Sequence, residues 1–401
     1  MNPALDLLHP YPFERLRSLF AGVVPPADLP HINMGIGEPQ HPTPKVLLDA
    51  IHANLGMLSK YPPTGGTPEF LAAVAGWIHR RYGVEVDSSR QILPVSGSRE
   101  GLFAVAQAII DPSTRPVVLL PNPFYQIYEG AAIMAGAEPF YVPTVAGTQF
   151  LPDFSVIPAE VWPRVQLLYL CSPGNPTGAV MSADHYRALT QLAEEFDFLI
   201  VSDEPYSELY QSEPPYGGIQ TQHPRVIVLN SLSKRSSAPG LRSGFIFGAP
   251  DVMDKIRLHR TYHGAAPSSV VQQASAVAWS DEAHVEENRR LYREKFDVCQ
   301  PLVNQVLPCE IPAGGFFLWA KVPESSRWAG SDEAFARELY ATAKVTVLPG
   351  TYLAREANGQ NPGAGYVRIA LVADLATCVR AAKAMSDLAQ ESAMTSGVQI
   401  Q

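Results

Sequence analysis

Lys234 is the residue of this chain best suited to act as a nucleophile. Its amine closes the segment Asn230-Ser231-Leu232-Ser233-Lys234, directly after the apolar run Val226 to Leu229, and no other lysine lies between Lys60 and Lys234. Most lysines are solvated surface charges. One that ends an apolar run beside two serines sits in polar, enclosed surroundings, where an amine can attack a carbonyl and carry a proton. Arg242 follows shortly after it, a planar cation suited to forked bonding of a phosphate or carboxylate.

Three further polar segments follow apolar runs in the same manner. Gln91 to Val95 leads into Ser96-Gly97-Ser98-Arg99-Glu100 and a helical pattern, a turn that can offer free N–H groups to a phosphate or simply cap the helix. Leu167 to Cys171 leads into Ser172-Pro173-Gly174-Asn175-Pro176-Thr177-Gly178, where Pro and Gly set an irregular backbone and leave one amide side chain to point at a ligand. Phe198 to Ser202 leads into Asp203-Glu204-Pro205-Tyr206, a carboxylate and a phenol at a strand end, serving as N-cap or as functional groups.

These segments need a scaffold that brings them together. From about 90 to 250 the chain alternates short apolar runs, also including Pro116 to Leu120, Glu138 to Val142 and Gly244 to Gly248, with helical patterns. That alternation predicts βαβ units and a mainly parallel sheet covered on both faces. Ligands of such sheets sit beyond the carboxyl ends of the strands, where the polar segments fall. Residues 1 to 45 read as a Pro- and Gly-rich arm with one short helix around Phe13 to Phe20, and 46–280 as the large ligand-binding domain. Residues 281–401 read as a small α+β domain, with a long helix from Glu282 to Val306 and strands at Gly315 to Val322, Val345 to Leu348 and Tyr366 to Ala370.

A formal charge of -9 and a pI near 5.6 disfavour a nucleic-acid partner. Cys171, Cys299, Cys309 and Cys378 form no CxxC pair, so neither a disulfide framework nor a metal site is expected. The first residues lack a basic start and apolar run, and no stretch suits a membrane span, which predicts a cytoplasmic protein with no membrane partner.

In their order, Ser172 to Gly178, Asp203-x-x-Tyr206 and Ser231-x-Ser233-Lys234 with Arg242 resemble the fold-type I pyridoxal 5'-phosphate (PLP) dependent aminotransferases of class I/II. The resemblance runs from Gly37 to Arg368. It implies an α/β fold with a large domain built on a mainly parallel seven-stranded sheet between helices and a smaller α+β domain. It implies that Lys234 forms an imine with the cofactor aldehyde and moves the substrate α-proton, and that Asp203 pairs with the pyridine nitrogen. Asn175 and Tyr206 would bond the ring's phenolic oxygen. Ser231, Ser233, Arg242 and the backbone at Ser98 and Arg99 would hold the phosphate.

The same resemblance puts Tyr125 on the cofactor ring, with Phe124 as the adjacent alternative. It has Tyr61 reach the phosphate from a neighbouring subunit, which implies a homodimer with shared sites. Arg368 would clamp the substrate α-carboxylate, with the backbone of Gly37 approaching it. Within the class, His9 to Glu14, Pro121 to Gly130, Lys234 to Ser236, Arg260 to Gly264 and Val345 to Gly350 resemble the N-succinyl-LL-diaminopimelate aminotransferases of bacterial lysine synthesis, which use glutamate as donor. The pattern departs at Ser237, where that group usually has Asn. Such a substrate carries further carboxylates, for which Arg99, Arg235, Arg260 and His263 are the candidate partners. Other readings of the fold are an aspartate- or kynurenine-type aminotransferase, a C-S β-lyase, a PLP-sensing regulator, for which the arm is too short to be a DNA-binding domain, and a Rossmann dehydrogenase, for which the glycine fingerprint is missing.

Overall fold

The structure, a computed structural model, describes residues 1–264 and 266–395, with side chains described through Leu388. The apolar runs form strands β1 (Ile32–Asn33), β2 (Ile92–Val95), β3 (Val117–Asn122), β4 (Glu138–Pro143), β5 (Val165–Cys171), β6 (Leu199–Asp203), β7 (Val226–Ser231), β8 (Gly244–Phe247), β9 (Phe317–Lys321), β10 (Val345–Thr346), β11 (Leu348–Pro349) and β12 (Tyr366–Ala370). Seven of them make one sheet in the order β2-β8-β7-β6-β5-β3-β4. The pairs from β7 through β4 are parallel, while β8 is antiparallel to both β7 and β2. This is the mainly parallel seven-stranded sheet between helices that the resemblance implies.

Successive side chains on a strand point opposite ways, and the inner strands of the sheet are buried on both faces. Val117 and Leu119 of β3, with Leu168 and Leu170 of β5, join one core; Val118, Leu120, Leu167 and Tyr169 join the other. Each such aliphatic side chain contributes about 2 kcal/mol by leaving water. The covering helices are punctuated locally: Ser182 accepts from the His185 amide at the start of Ala183–Phe196, and Asp197 turns left-handed at its end.

A third core joins Phe296 of the helix Ala283–Asn304 to Leu318, Val367 and Ile369 of the antiparallel sheet β11-β12-β9. Ile32 and Met34 of the arm belong to it. The segment Val345 to Leu348, expected as one strand, is two: Val345 and Thr346 pair with Ile32 and Asn33, whereas Leu348 and Pro349 pair with β12. The arm supplies a second partner edge, which the apolar pattern of the segment does not encode. On these cores we propose the division into 1–45, 46–280 and 281–401; residues 396–401 of the last unit lie outside the described residues. Among the described residues no helix is long and apolar enough to cross a membrane.

The register of the parallel strands sets the site. Cys171 lies opposite Asp203 and Asp203 opposite Leu229, so the polar segments after β5, β6 and β7 emerge side by side. Gly244 permits the close pairing of β7 with β8: a Cβ there would lie 2.5 Å from the Asn230 carbonyl oxygen. Gly244→Ala therefore overpacks β7 against β8, and its urea midpoint should correspond to a loss of about 1–3 kcal/mol; a midpoint equal to the parent's would contradict this contact.

Candidate active site

The three segments converge with the arm and with β12 on a cavity of about 620 Å³. Lys234 lies in a single helical turn, Leu232–Arg235, directly after β7. Its Nζ donates to the Gly37 carbonyl at 2.6 Å and lies 5.4 Å from the centroid of the Phe316 ring. Burial, then Arg368, lowers the amine's pKa to about 8, so part of it is neutral near physiological pH, the state a nucleophile needs.

Asp203 ends β6. Its Oδ2 accepts from the Tyr128 hydroxyl at 2.8 Å, while Oδ1, also buried, has no partner among the described residues. Burial pushes this carboxyl up to about 7 against the Tyr128 bond. Ser231 Oγ, at the end of β7, is likewise buried and without a partner among the described residues.

Three guanidinium groups face the cavity, and none has a carboxylate within 4 Å among the described residues. Arg368, central in β12, donates to Asn175 Oδ1 at 2.9 Å and to the Gly35 carbonyl at 2.8 Å, with Phe317 beneath it at 4.4 Å. Burial lowers its pKa to about 10. Arg242 donates to the carbonyls of Pro239 and Ser96, beside the N-terminus of Ser98–Ile109. Gly97 caps that helix at φ 83, and a Cβ there would collide with the Arg242 guanidinium. Arg99 donates to the hydroxyls of Tyr125 at 2.9 Å and Tyr11 at 3.4 Å.

Gly37, Ser98, Arg99, Tyr125, Asn175, Asp203, Tyr206, Ser231, Ser233, Lys234, Arg242 and Arg368 all line the cavity. Tyr61 does not line it; its side chain is fully exposed. Phe124 is not the cavity aromatic, because it packs in the core against Tyr141. Asn175 turns its oxygen to Arg368, which leaves its amide nitrogen for a ligand.

Three of the four arginine and histidine candidates for distal carboxylates lie elsewhere. Arg235 is fully buried, 4.8 Å from the Trp279 ring, and bonds the Ala278 carbonyl and Glu282. Arg260 is fully buried and bonds Glu100 and the Pro94 carbonyl. His263 ends the helix Pro250–His263, exposed and away from the cavity. Arg235 and Arg260 are held by these partners, and none of the three lines the cavity. Ser237 adopts φ 47, a left-handed conformation that Asn tolerates well, and its hydroxyl donates to the His41 carbonyl.

Sequence reasoning missed Tyr11, Glu38, Tyr128 and Phe317 among the lining residues. Tyr128 carried a usable signal, since it is a second phenol three residues after Tyr125. The others come from segments distant in sequence, and nothing local marks them.

The sequence pattern described as "Aminotransferase class I and II" matches residues 30–385. The LL-diaminopimelate aminotransferase of Desulforudis audaxviator is 32% identical over 372 residues, 91% of each chain. The crystal structure of an aminotransferase from Neisseria meningitidis superposes with a TM-score of 0.93 at 46% identity, covering 97% of this chain and all of that one. A probable N-succinyldiaminopimelate aminotransferase from Thermus thermophilus superposes with a TM-score of 0.81 at 28% identity, covering 94% of this chain and 99% of that one.

The raised carboxyl of Asp203 has a consequence for the cofactor-free protein. A group whose folded pKa is about 7, against roughly 3.9 unfolded, stabilises the fold below the lower value and loses that contribution as pH rises through the upper one. Asp203→Asn removes the loss. The stability difference, variant minus parent, should climb by roughly 1 kcal/mol per unit between about pH 4 and 7; parallel pH profiles from denaturation would show that Asp203 is not desolvated in this way.

Proposed function

Because this chain belongs to the class I and II aminotransferases, whose cofactor is PLP, we propose that it transfers an amino group between glutamate and N-succinyl-2-amino-6-ketopimelate, giving 2-oxoglutarate and N-succinyl-LL-2,6-diaminopimelate, in diaminopimelate and lysine synthesis. The observation that carries the reading is the set of three cavity arginines that have no carboxylate within 4 Å among the described residues. PLP brings one phosphate and an α-amino acid one carboxylate, so a third cation suits a substrate with a distal carboxylate. The Thermus neighbour favours the succinylated substrate, while the LL-diaminopimelate aminotransferases among the relatives favour the same chain without the succinyl group as a second reading. A cytoplasmic setting is part of the proposal.

The residues present fit the cofactor. Asp203 Oδ1, buried without a donor, suits a protonated ring nitrogen; Ser231 Oγ, Arg242 and the helix start at Ser98 suit a phosphate. When bound, PLP supplies an aldehyde that links to amines and a ring that accepts electrons. The Lys234 amine would hold the cofactor and, once displaced by substrate, carry the proton at the substrate α-carbon. Arg368 would fix the α-carboxylate by a forked bond, with Asn175 locking its orientation. Tyr125 would cover the ring, and Tyr206, whose pKa burial raises far above the ordinary value, would act as a neutral hydrogen-bond donor. Ser233 and the backbone at Arg99 would complete the phosphate cradle.

A homodimer belongs to the same reading. Tyr61 would serve the partner's phosphate site, and the exposed side chains of Leu55 and Leu58 in the same stretch would be covered there.

The deciding experiment gives the purified protein PLP and glutamate and compares the succinylated keto acid, its unsuccinylated form and simple keto acids. Turnover confined to simple keto acids would sink the substrate assignment; preference for the unsuccinylated acid would favour the second reading. Arg99→Met should raise KM for the long diacid at least about tenfold while leaving that for alanine within about twofold. Equal losses with every substrate would mean that Arg99 serves the phosphate alone.

A further inference from the structure

Lys295 is a buried lysine that the proposed chemistry does not use. It is 2% exposed and has no carboxylate within 4 Å among the described residues, an arrangement the fold pays for in desolvation. Its Nζ meets His41 Nε2 at 2.6 Å, the Val372 carbonyl at 3.5 Å and the Tyr292 ring at 4.7 Å. His41 Nδ1 meets Asn288 Oδ1 at 2.8 Å, and Asn288 Nδ2 donates to the carbonyls of Lys234 at 3.0 Å and Arg235 at 3.2 Å. We propose that Asn288 is a positioning residue for Lys234, and that its orientation is set by a one-way hydrogen-bond chain running from Lys295 through His41.

The chain admits one direction because both ends are fixed. Burial lowers the Lys295 pKa to about 8, and below that pH its ammonium donates and cannot accept, so His41 Nε2 is the bare nitrogen and the ring proton sits on Nδ1. That proton goes to Asn288 Oδ1, which turns both hydrogens of Nδ2 away from the ring. At the far end two carbonyl oxygens can only accept, so they demand the same orientation of the amide. Burial, first, and Lys295 hold the imidazole's pKa below its ordinary value against the Asn288 bond and Glu287, in keeping with a neutral ring. Asn288 and Lys295 are two turns apart on one helix, which places both on the face that meets the arm.

The two carbonyls matter because the turn that carries Lys234, Leu232–Arg235, has only four residues. A single turn does not hold itself, and its last carbonyls have no partner within it. Asn288 satisfies two of them. The arm thus fastens Lys234 twice: Gly37 accepts from the side-chain amine, and His41 orients the amide that holds the main chain. Ser237 and Thr43 add bonds between the arm and the same loop.

The inference rests on Lys234 being the lysine that holds the cofactor. The test uses the full-length protein with PLP and reads three quantities: the pH midpoint at which its visible absorbance band changes, kcat and KM with glutamate, and the thermal midpoint. Asn288→Ala and Asn288→Asp, the latter isosteric but without N–H donors, should each lower kcat about tenfold or more and shift the absorbance midpoint, with KM within about twofold. Lys295→Met should give a smaller kcat loss, about threefold, that disappears in the Asn288→Ala background, as links of one chain require. A soluble Asn288 variant with parental kcat and absorbance midpoint overturns the proposal, even if its thermal midpoint has fallen; so do fully additive losses. Should the Asn288 variants fail to fold, Lys295→Met with parental kcat and absorbance midpoint overturns it alone. The Lys234→Ala protein separates the two claims: a visible band that survives there defeats the lysine assignment, whereas a band lost there with an unperturbed Asn288→Ala titration defeats only the positioning.

Discussion

Parallel pairing of β5, β6 and β7 in one register is the constraint on which the cavity depends. Cys171, Asp203 and Leu229 lie opposite one another, so the residues that follow them must leave the sheet at the same edge. Parallel strands are paired by crossovers through helices, which forces near-continuous burial of both faces and leaves the carboxyl edge as the place where polar side chains can gather. Asp203, Ser231 and Lys234 reach the cavity through this geometry, although they sit on two different strand ends.

What gathers there is costly to keep out of water. Asp203 has one oxygen bonded to Tyr128 and another with no donor, and the Lys234 amine and Arg368 guanidinium both have their charged forms disfavoured by burial. Buried ionisable groups in imperfectly satisfied surroundings destabilise a fold unless a ligand completes them. The surrounding cores are what sustain this: two apolar layers on the large sheet and a third around β9 and β12. The cavity lining carries Arg99, Lys234, Arg242 and Arg368 against Glu38 and Asp203 in a chain of net charge -9, so its cationic balance is a local property and not one of the whole surface.

The arm ties these layers to the site. Ile32 and Met34 lie in the small core, Gly35 accepts from Arg368, Gly37 accepts from Lys234 and His41 reaches Asn288. Within about ten residues the arm therefore touches the small sheet, the cavity and the long helix.

The sequence by itself determined the strands of the large sheet, because each apolar run has side chains for both faces and a polar segment at its end. It also determined the set of residues that line the cavity from those ends, since the rule that ligands sit beyond parallel strands needs only strand order and direction. Tertiary structure decided the rest. It split Val345 to Leu348 between two sheets, because the arm offers an edge that periodicity does not show. It withdrew Arg235 and Arg260 into the core, because the side of a helix or turn on which a charge falls depends on what packs against it. It placed Tyr128 on Asp203 and Asn288 under Lys234, contacts between residues 75 and 54 positions apart that no local pattern of amino acids encodes.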